Sequence, residues 1–220
     1  MFILDSSKTL QIQVYEYLHD KIVNGRLEPG VRVVEQQISE ETGISRSPIR
    51  EAIKQLKSDG LVISHPRGGV RIFRPTSDDF KYLYECRLSL EPLAASLAAQ
   101  RSTDTQFTEL NELLKKMKNI IETQDLKRMK KSSRTFHDLI LESSGNPFLI
   151  KMMNQLHSLI LFYQNIILMK SNRMEEGFYE HEAICMDILN RDAEAAEKHM
   201  RDHIQKDYNY YLEQYGYIFN

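Results

Sequence analysis

Apolar positions along the first third of the chain change their spacing in a regular order. Over residues 9–24, Ile12, Tyr15, Leu18, His19 and Ile22 share one helical stripe, and Gly25 with the "LEPG" turn ends it. A short helix is predicted over 34–42 and stopped by Gly43. A third, over 45–58, has Ile49, Ile53 and Leu56 at helical spacing and Gly60 just past its end. Two β-rich runs, 61–63 and 70–73, then flank His65-Pro66-Arg67-Gly68-Gly69, which reads as a β-hairpin. Three helices and a hairpin within residues 9–74 describe a winged helix-turn-helix. Only Gly43 and Ile44 separate its second and third helices, the tight spacing that sets one helix across another.

Beyond Pro75-Thr76-Ser77 the strand pattern disappears. Helices are predicted over 78–100, 104–122 (Leu110, Leu113, Leu114, Met117 and Ile121), 125–143, 147–169, 174–190 and 192–215. Six helices suffice for an antiparallel bundle. The fold class is therefore mainly α: a winged helix-turn-helix over 1–75 and an all-α antiparallel bundle over 76–220. The most apolar segment, 147–169, is interrupted by Lys151, Asn154, Gln155, His157, Gln164 and Asn165, so it reads as a buried bundle helix and not a membrane span.

Composition narrows the class without naming a chemistry. With 220 residues, 41% hydrophobic and 27% charged, the chain is an ordinary globular protein. Cys86 and Cys185 have no metal-ligand or redox spacing and are expected to be buried small hydrophobes in a reducing cytoplasm. The first residues lack a basic leader, so no signal peptide is expected, and the localisation expected is cytoplasmic without a membrane partner. A net charge of −2 excludes a globally basic nucleic-acid binder. Residues 45–74, however, hold seven cations against two acids, a local footprint for a polyanion.

The third helix carries the sharpest signal. Arg46 and Arg50 lie four residues apart, at the helix end where the macrodipole favours anions. Pro48 costs nothing there, because its missing N–H is one the first turn leaves unpaired anyway. Ser45 or Ser47 can serve as N-cap. With DNA as the missing anion, the arginines offer bidentate donors to guanine, and Lys54, one turn further, suits a phosphate. A solvated basic face is the plain alternative. The compact helix-turn-helix before it and the Arg-Gly-Gly wing after it favour DNA.

Residues 9–74 resemble the DNA-binding domain of the GntR family of bacterial transcription regulators. The resemblance is carried by the "L-x-P-G" turn, "SRSPIREAI", "DGLV" and the glycine wing. It implies that Arg46 and Arg50 contact bases, that Ser45 and Ser47 contact backbone or base edges, and that Arg67 and Gly68 lie by the minor groove. Gln36 stands where members of the FadR branch often carry an Arg, so no operator sequence is carried over with it.

Residues 78–215 are similar to the FCD effector domain of the FadR subfamily, in its six-helix VanR-like version. "ECRLSLEPLAASLAA", "FHDLILESSGNPFL" and "YEHEAICMDILNRDAEAAEKHMRDHI" carry that similarity. It implies that His137, His181 and His203, on three different helices, hold a divalent metal with open positions for a carboxylate effector. Three imidazoles and an open position suit zinc or a neighbour such as nickel. Ser133 stands where metal-binding members usually have Asp or Asn; serine is a poorer ligand, and a metal-free polar pocket is the alternative. Arg87 matches an arginine that projects into the effector pocket, though an ion pair with Glu85, Glu91 or an acid on another helix explains it equally well. Asn146 reads first as a helix-start cap and second as an effector contact. His199 shares a face with His203 but has no counterpart in the family pattern, so it is assigned to the surface.

The expected function is a ligand-responsive, DNA-binding transcription regulator. It would be a repressor that reads a palindromic operator as a homodimer and binds a small organic acid. A metal-sensing regulator is the alternative. A three-histidine zinc hydrolase is the weakest reading, because the sequence has no HExxH, nucleophile motif or phosphate loop. The chain is not expected to be an enzyme.

Overall fold

The computed structural model describes residues 4–66, 68–167 and 173–215. Two compact units form, Met1–Phe80 with Asn154–Met169, and Lys81–Met153 with Lys170–Asn220. Within the first unit the order is α1 (Leu10–Val23), β1 (Arg32–Val33), α2 (Glu35–Thr42), α3 (Arg46–Ser58), β2 (Val62–Ser64) and β3 (Val70–Ile72). Thr9 caps α1 by accepting a hydrogen bond from the Ile12 amide at 3.3 Å. The helix buries Val14, Leu18 and Ile22, while Ile12 is 44% exposed. The stripe expected through Ile12 is thus rotated. The expected stripe and the buried row share Leu18 and Ile22, and the row through Val14 is the one buried in the core that α1 shares with Ile49, Ala52, Ile53 and Leu56 of α3.

The turn between α2 and α3 is built by side chains as well as by Gly43, which adopts φ 72 at the C-cap of α2. Ile44 is buried in the turn. Ser39 Oγ donates to the Ile44 carbonyl at 2.8 Å, and Thr42 Oγ1 accepts from the Ile44 amide at 3.3 Å. The wing is a three-stranded antiparallel sheet in the order β1-β3-β2, where sequence reading gave a two-stranded hairpin. Arg32 pairs with Arg71 and Val33 with Val70. Two residues are too few to show alternation, so β1 has no signature of its own.

The second unit is all helical. It contains α4 (Ser77–Arg101) from Lys81 onward, α5 (Asp104–Thr123), α6 (Leu126–Ser143), the first turns of α7 (Pro147–Ile167), α8 (Met174–Leu189) and α9 (Ala193–Tyr215). The helix starts are specified locally. Thr103 and Gln106 form a capping box on α5, Asp125 accepts from the Arg128 amide at the start of α6, and Asn146 accepts from the Phe148 and Leu149 amides at the start of α7. Pro92 lies inside α4 and leaves the Leu88 carbonyl without its helical donor. Arg201 of α9 supplies the substitute, donating from Nη1 to that carbonyl at 2.8 Å.

The later part of α7 packs within the first unit, its Phe162 and Tyr163 rings lying against Phe73 and Phe80. Gly60, at φ 74, admits Leu159 there; a Cβ would stand 3.2 Å from that side chain. No helix among the described residues is long and apolar enough to cross a membrane. Cys185 is buried, as expected, but Cys86 is exposed, because α4 turns that position away from the apolar row through Leu83 and Tyr84. Burial pushes the Cys185 thiol up to about 12.

Candidate functional site

Two groups of side chains carry chemistry, one in each unit. In the first, Ser45, Arg46, Ser47, Arg50 and Lys54 all lie exposed on or beside the first turns of α3. Ser45 is the N-cap by position, yet its hydroxyl makes no capping hydrogen bond, and no acid occupies the first turn. The positive helix end is therefore left open to an external anion. Arg50 Nε meets Glu35 Oε2 at 2.9 Å and Lys54 Nζ meets Glu51 Oε1 at 2.7 Å, both as exposed pairs of small worth. Arg46 has no acidic partner among the described residues. Gln36 is exposed on α2 and donates to Glu40 Oε1 at 3.0 Å. Gly68 lies exposed in the β2–β3 turn with φ 85, and Arg67 falls outside the described residues. Glu35 was not anticipated. It is 15 positions from Arg50, so no helical spacing connects them.

In the second unit, His137 of α6, His181 of α8 and His203 of α9 converge, one ring nitrogen of each lying within 4.8 Å of the others. His137 Nε2 and His181 Nε2 are 3.2 Å apart. His203 Nδ1 is 2.7 Å from Glu180 Oε2, which leaves Nε2 as its free nitrogen. His137 Nδ1 lies 2.8 Å from Glu91 Oε2, although neither atom has an aligned hydrogen bond. His181 Nδ1 is buried without a hydrogen-bond partner. Burial, and then the neighbouring His203 and His137, push the His181 pKa well below its ordinary 6.5, so this ring stays neutral.

Carboxylates behind the rings complete the arrangement. Burial alone would raise Glu180, but the hydrogen bond and charge of His203, then Arg173 and Lys206, outweigh it and bring the carboxyl down to about 2. Burial likewise opposes ionisation of Glu91; the Arg87 guanidinium and then His137 overcome it and hold the carboxyl below the usual range. Arg87 is 2% exposed, its Nε meets Glu91 Oε1 at 2.5 Å, and its Nη1 is buried without a hydrogen-bond partner. Asp207 places Oδ1 2.9 Å from Arg173 Nη2 and Oδ2 3.9 Å from His203 Nε2. Ser133 is half-buried on α6, one turn before His137. Asn146 gives its side-chain oxygen to the start of α7, the first of its two readings. His199 is exposed and paired with Asp187.

The donor set fits a divalent transition metal. Three converging imidazole nitrogens, with Glu180 hydrogen-bonded to Nδ1 of His203 and Glu91 2.8 Å from Nδ1 of His137, match the histidine–carboxylate arrangement of such sites. Glu180 and Asp207 are the members that sequence reading missed. Asp207 had a signal, its i+4 spacing from His203. Glu180 had none, since it neighbours His181 in the chain but serves His203 on another helix.

Comparison with known proteins places both units. A family model described as bacterial regulatory proteins, gntR family, matches residues 10–72, and the FCD domain model matches residues 82–206. The chain is 31% identical over 208 residues to the HTH-type transcriptional regulator YdhC of Bacillus subtilis (strain 168), covering 94% of this chain and 92% of that protein. It is 27% identical to the gluconate operon transcriptional repressor of Bacillus licheniformis, over 76% of this chain and 68% of that one. Among solved structures, Escherichia coli McbR/YncC shares the fold with a TM-score of 0.80 at 23% identity, over 94% of this chain and 99% of that one.

Proposed function

The chain belongs to the GntR family of bacterial regulatory proteins and carries an FCD domain, and on that premise we propose a ligand-responsive repressor that reads its operator through α3. The family is one of DNA-binding transcription regulators, not of enzymes. One observation carries the reading: Arg46 stands exposed, without an acidic partner among the described residues, at a helix N-terminus whose cap side chain makes no capping hydrogen bond. Arg46 and Arg50 take base edges, Lys54 a phosphate, and Ser45 and Ser47 the backbone; Gln36, Arg67 and Gly68 flank them. Arg50 releases Glu35 when it does so. Two copies reading a palindrome make the working form a homodimer.

Labour divides between residues 1–75, which bind DNA, and residues 76–220, which respond to a small organic acid and pair the copies. His137, His181 and His203 would hold zinc or nickel through Nε2, with Glu91 and Glu180 orienting two of the rings. The ion supplies a Lewis-acidic position for an acid's carboxylate. Arg87 Nη1, the buried donor without a partner, and Ser133 contribute beside it. A second reading, in which the ion itself is the signal, gains from the Arg87–Glu91 pair, because Glu91 already occupies the guanidinium's Nε. Operator binding that responds to zinc with no organic acid present would favour it.

The test begins by selecting a duplex from a random pool with the wild-type protein. Arg46→Ala and Arg50→Ala should each cost about 1–3 kcal/mol against the selected duplex and leave binding to a scrambled one nearly unchanged. Undiminished discrimination by both variants overturns the recognition-helix assignment. For the second unit, protein purified without chelator should contain about one transition-metal ion per chain by elemental analysis, and His203→Ala should contain much less. Equal metal content in the two proteins overturns that site.

A further inference from the structure

A second concentration of positive charge lies far along the chain from α3. Residues 115–134 hold eight cations, Lys115, Lys116, Lys118, Lys127, Arg128, Lys130, Lys131 and Arg134, against two acids, Glu122 and Asp125. The remainder of residues 76–220 has ten cations against twenty acids, so the charge is local and opposes the sign of its surroundings. The cations occupy the last turns of α5 and the first turns of α6, which pack together and join at Gln124–Asp125. None is more than nine residues from that turn, about 14 Å of helix rise. Lys115, Lys116, Lys118, Lys127, Arg128 and Lys131 are exposed. Arg128 meets Asp125 at 3.3 Å; among the described residues no other member of the group forms an ion pair.

Several features select the kind of anion. After the N-cap Asp125 no acid occupies the first turn of α6, and Lys127 and Arg128 stand where the macrodipole repels them. Lys130 and Arg134 are half-buried; Asp138, one turn along α6, is an acid that acts on Arg134, but Arg134 Nε has no hydrogen-bond partner among the described residues. None of the large exposed hydrophobic side chains falls between residues 115 and 134. A lipid surface would call for apolar side chains to insert, and a protein partner for aromatic anchors with few lysines. A phosphate backbone calls for neither. It takes clustered lysines with no requirement for base contacts.

We propose that the α5–α6 turn region is a second DNA-contact surface, binding duplex phosphates without regard to sequence. The choice of duplex DNA as ligand rests on the DNA-binding reading of the family. Lys115, Lys118, Lys127 and Lys131 contribute most of the attraction, since they are exposed and form no ion pairs among the described residues. The surface adds affinity, while discrimination between sequences stays with α3.

The experiment measures the dependence of log K on log salt for full-length protein on a random-sequence duplex. Three proteins are compared: wild type, Arg46→Ala with Arg50→Ala, and a variant carrying Lys115→Gln, Lys118→Gln, Lys127→Gln and Lys131→Gln together. Because each phosphate contact contributes about 0.9 to the slope, the four-lysine variant should be shallower than wild type by about 3.6 if all four lysines make contact. Its binding should be at least about tenfold weaker near 0.1 M salt, with an unchanged preference for the selected duplex. These side chains are exposed, so an unaltered thermal melt confirms that the variant is folded. A wild-type slope in the four-lysine variant overturns the proposal; loss of preference for the selected duplex in the arginine variant then leaves α3 as the reader. A reduced slope in the four-lysine variant supports it; if the arginine variant also keeps the wild-type preference for the selected duplex, α3 is removed as the reader. Sedimentation with phosphatidylserine vesicles that is lost in the four-lysine variant, while its duplex slope stays at wild type, also overturns it.

Discussion

Arg87 and Glu91 show how much a single residue can mean once its surroundings are known. From sequence, Arg87 was equally a clamp for an effector carboxylate and half of a structural pair. The structure places Glu91 one turn along α4 at 2.5 Å, with the Arg87 side chain 2% exposed. Both groups are charged and desolvated, so each depends on the other. Arg87→Ala leaves an uncompensated carboxylate beside His137 and should lower unfolding stability by about 3–5 kcal/mol. Arg87→Met combined with Glu91→Leu removes both charges and should recover most of that loss. Urea denaturation reads the difference; a single variant as stable as the double one would show that the pair is not coupled. The three histidines were legible from the sequence because the resemblance to the FCD domain marked them one by one. Of their carboxylate partners, Asp207 had a signal in its i+4 spacing from His203, whereas Glu180 had none, since it reaches His203 from another helix.

Helix ends express the contrast between structure and function at the next scale. Asp125 caps α6 by accepting from the Arg128 amide at 3.0 Å, whereas Ser45 heads α3 with its hydroxyl unused. Asp125→Ala should therefore cost about 1 kcal/mol of stability, the usual worth of an N-cap. Ser45→Ala should cost a few tenths of a kcal/mol at most and instead weaken binding to the selected duplex. Thermal melts and DNA titrations on the same two variants separate these outcomes. A stability loss at Ser45 as large as at Asp125 would make the serine a structural cap after all. At this scale most of the fold was legible: the caps and glycines that bound the helices act through neighbours in sequence. What escaped depends on distant partners. β1 exists because β3 lies beside Arg32 and Val33, and the buried row of α1 is set by the apolar face of α3. The part of α7 from Asn154 onward, read as bundle core, packs with Phe73 and Phe80 because its aromatic side chains match that surface.

For the whole molecule, the proposed ion and the proposed operator are joined by thermodynamics whatever path connects them. If a metal at His137, His181 and His203 changes operator affinity by some factor, the operator must change metal affinity by the same factor. Typical couplings of about 1–3 kcal/mol correspond to roughly 5–150-fold, well within reach of titration. Zinc affinity should be measured with and without the selected duplex, and duplex affinity with and without zinc. The two ratios must agree for wild type, and both should fall to one in His203→Ala. Glu180→Gln separates occupancy from coupling. Losing the carboxylate behind His203 should weaken zinc binding by about 10–100-fold. At saturating zinc its coupling ratio should nevertheless match that of wild type, because the same ion then sits on the same three rings. A ratio near one in saturated Glu180→Gln protein would mean that Glu180, and not the ion alone, carries the signal out of the site.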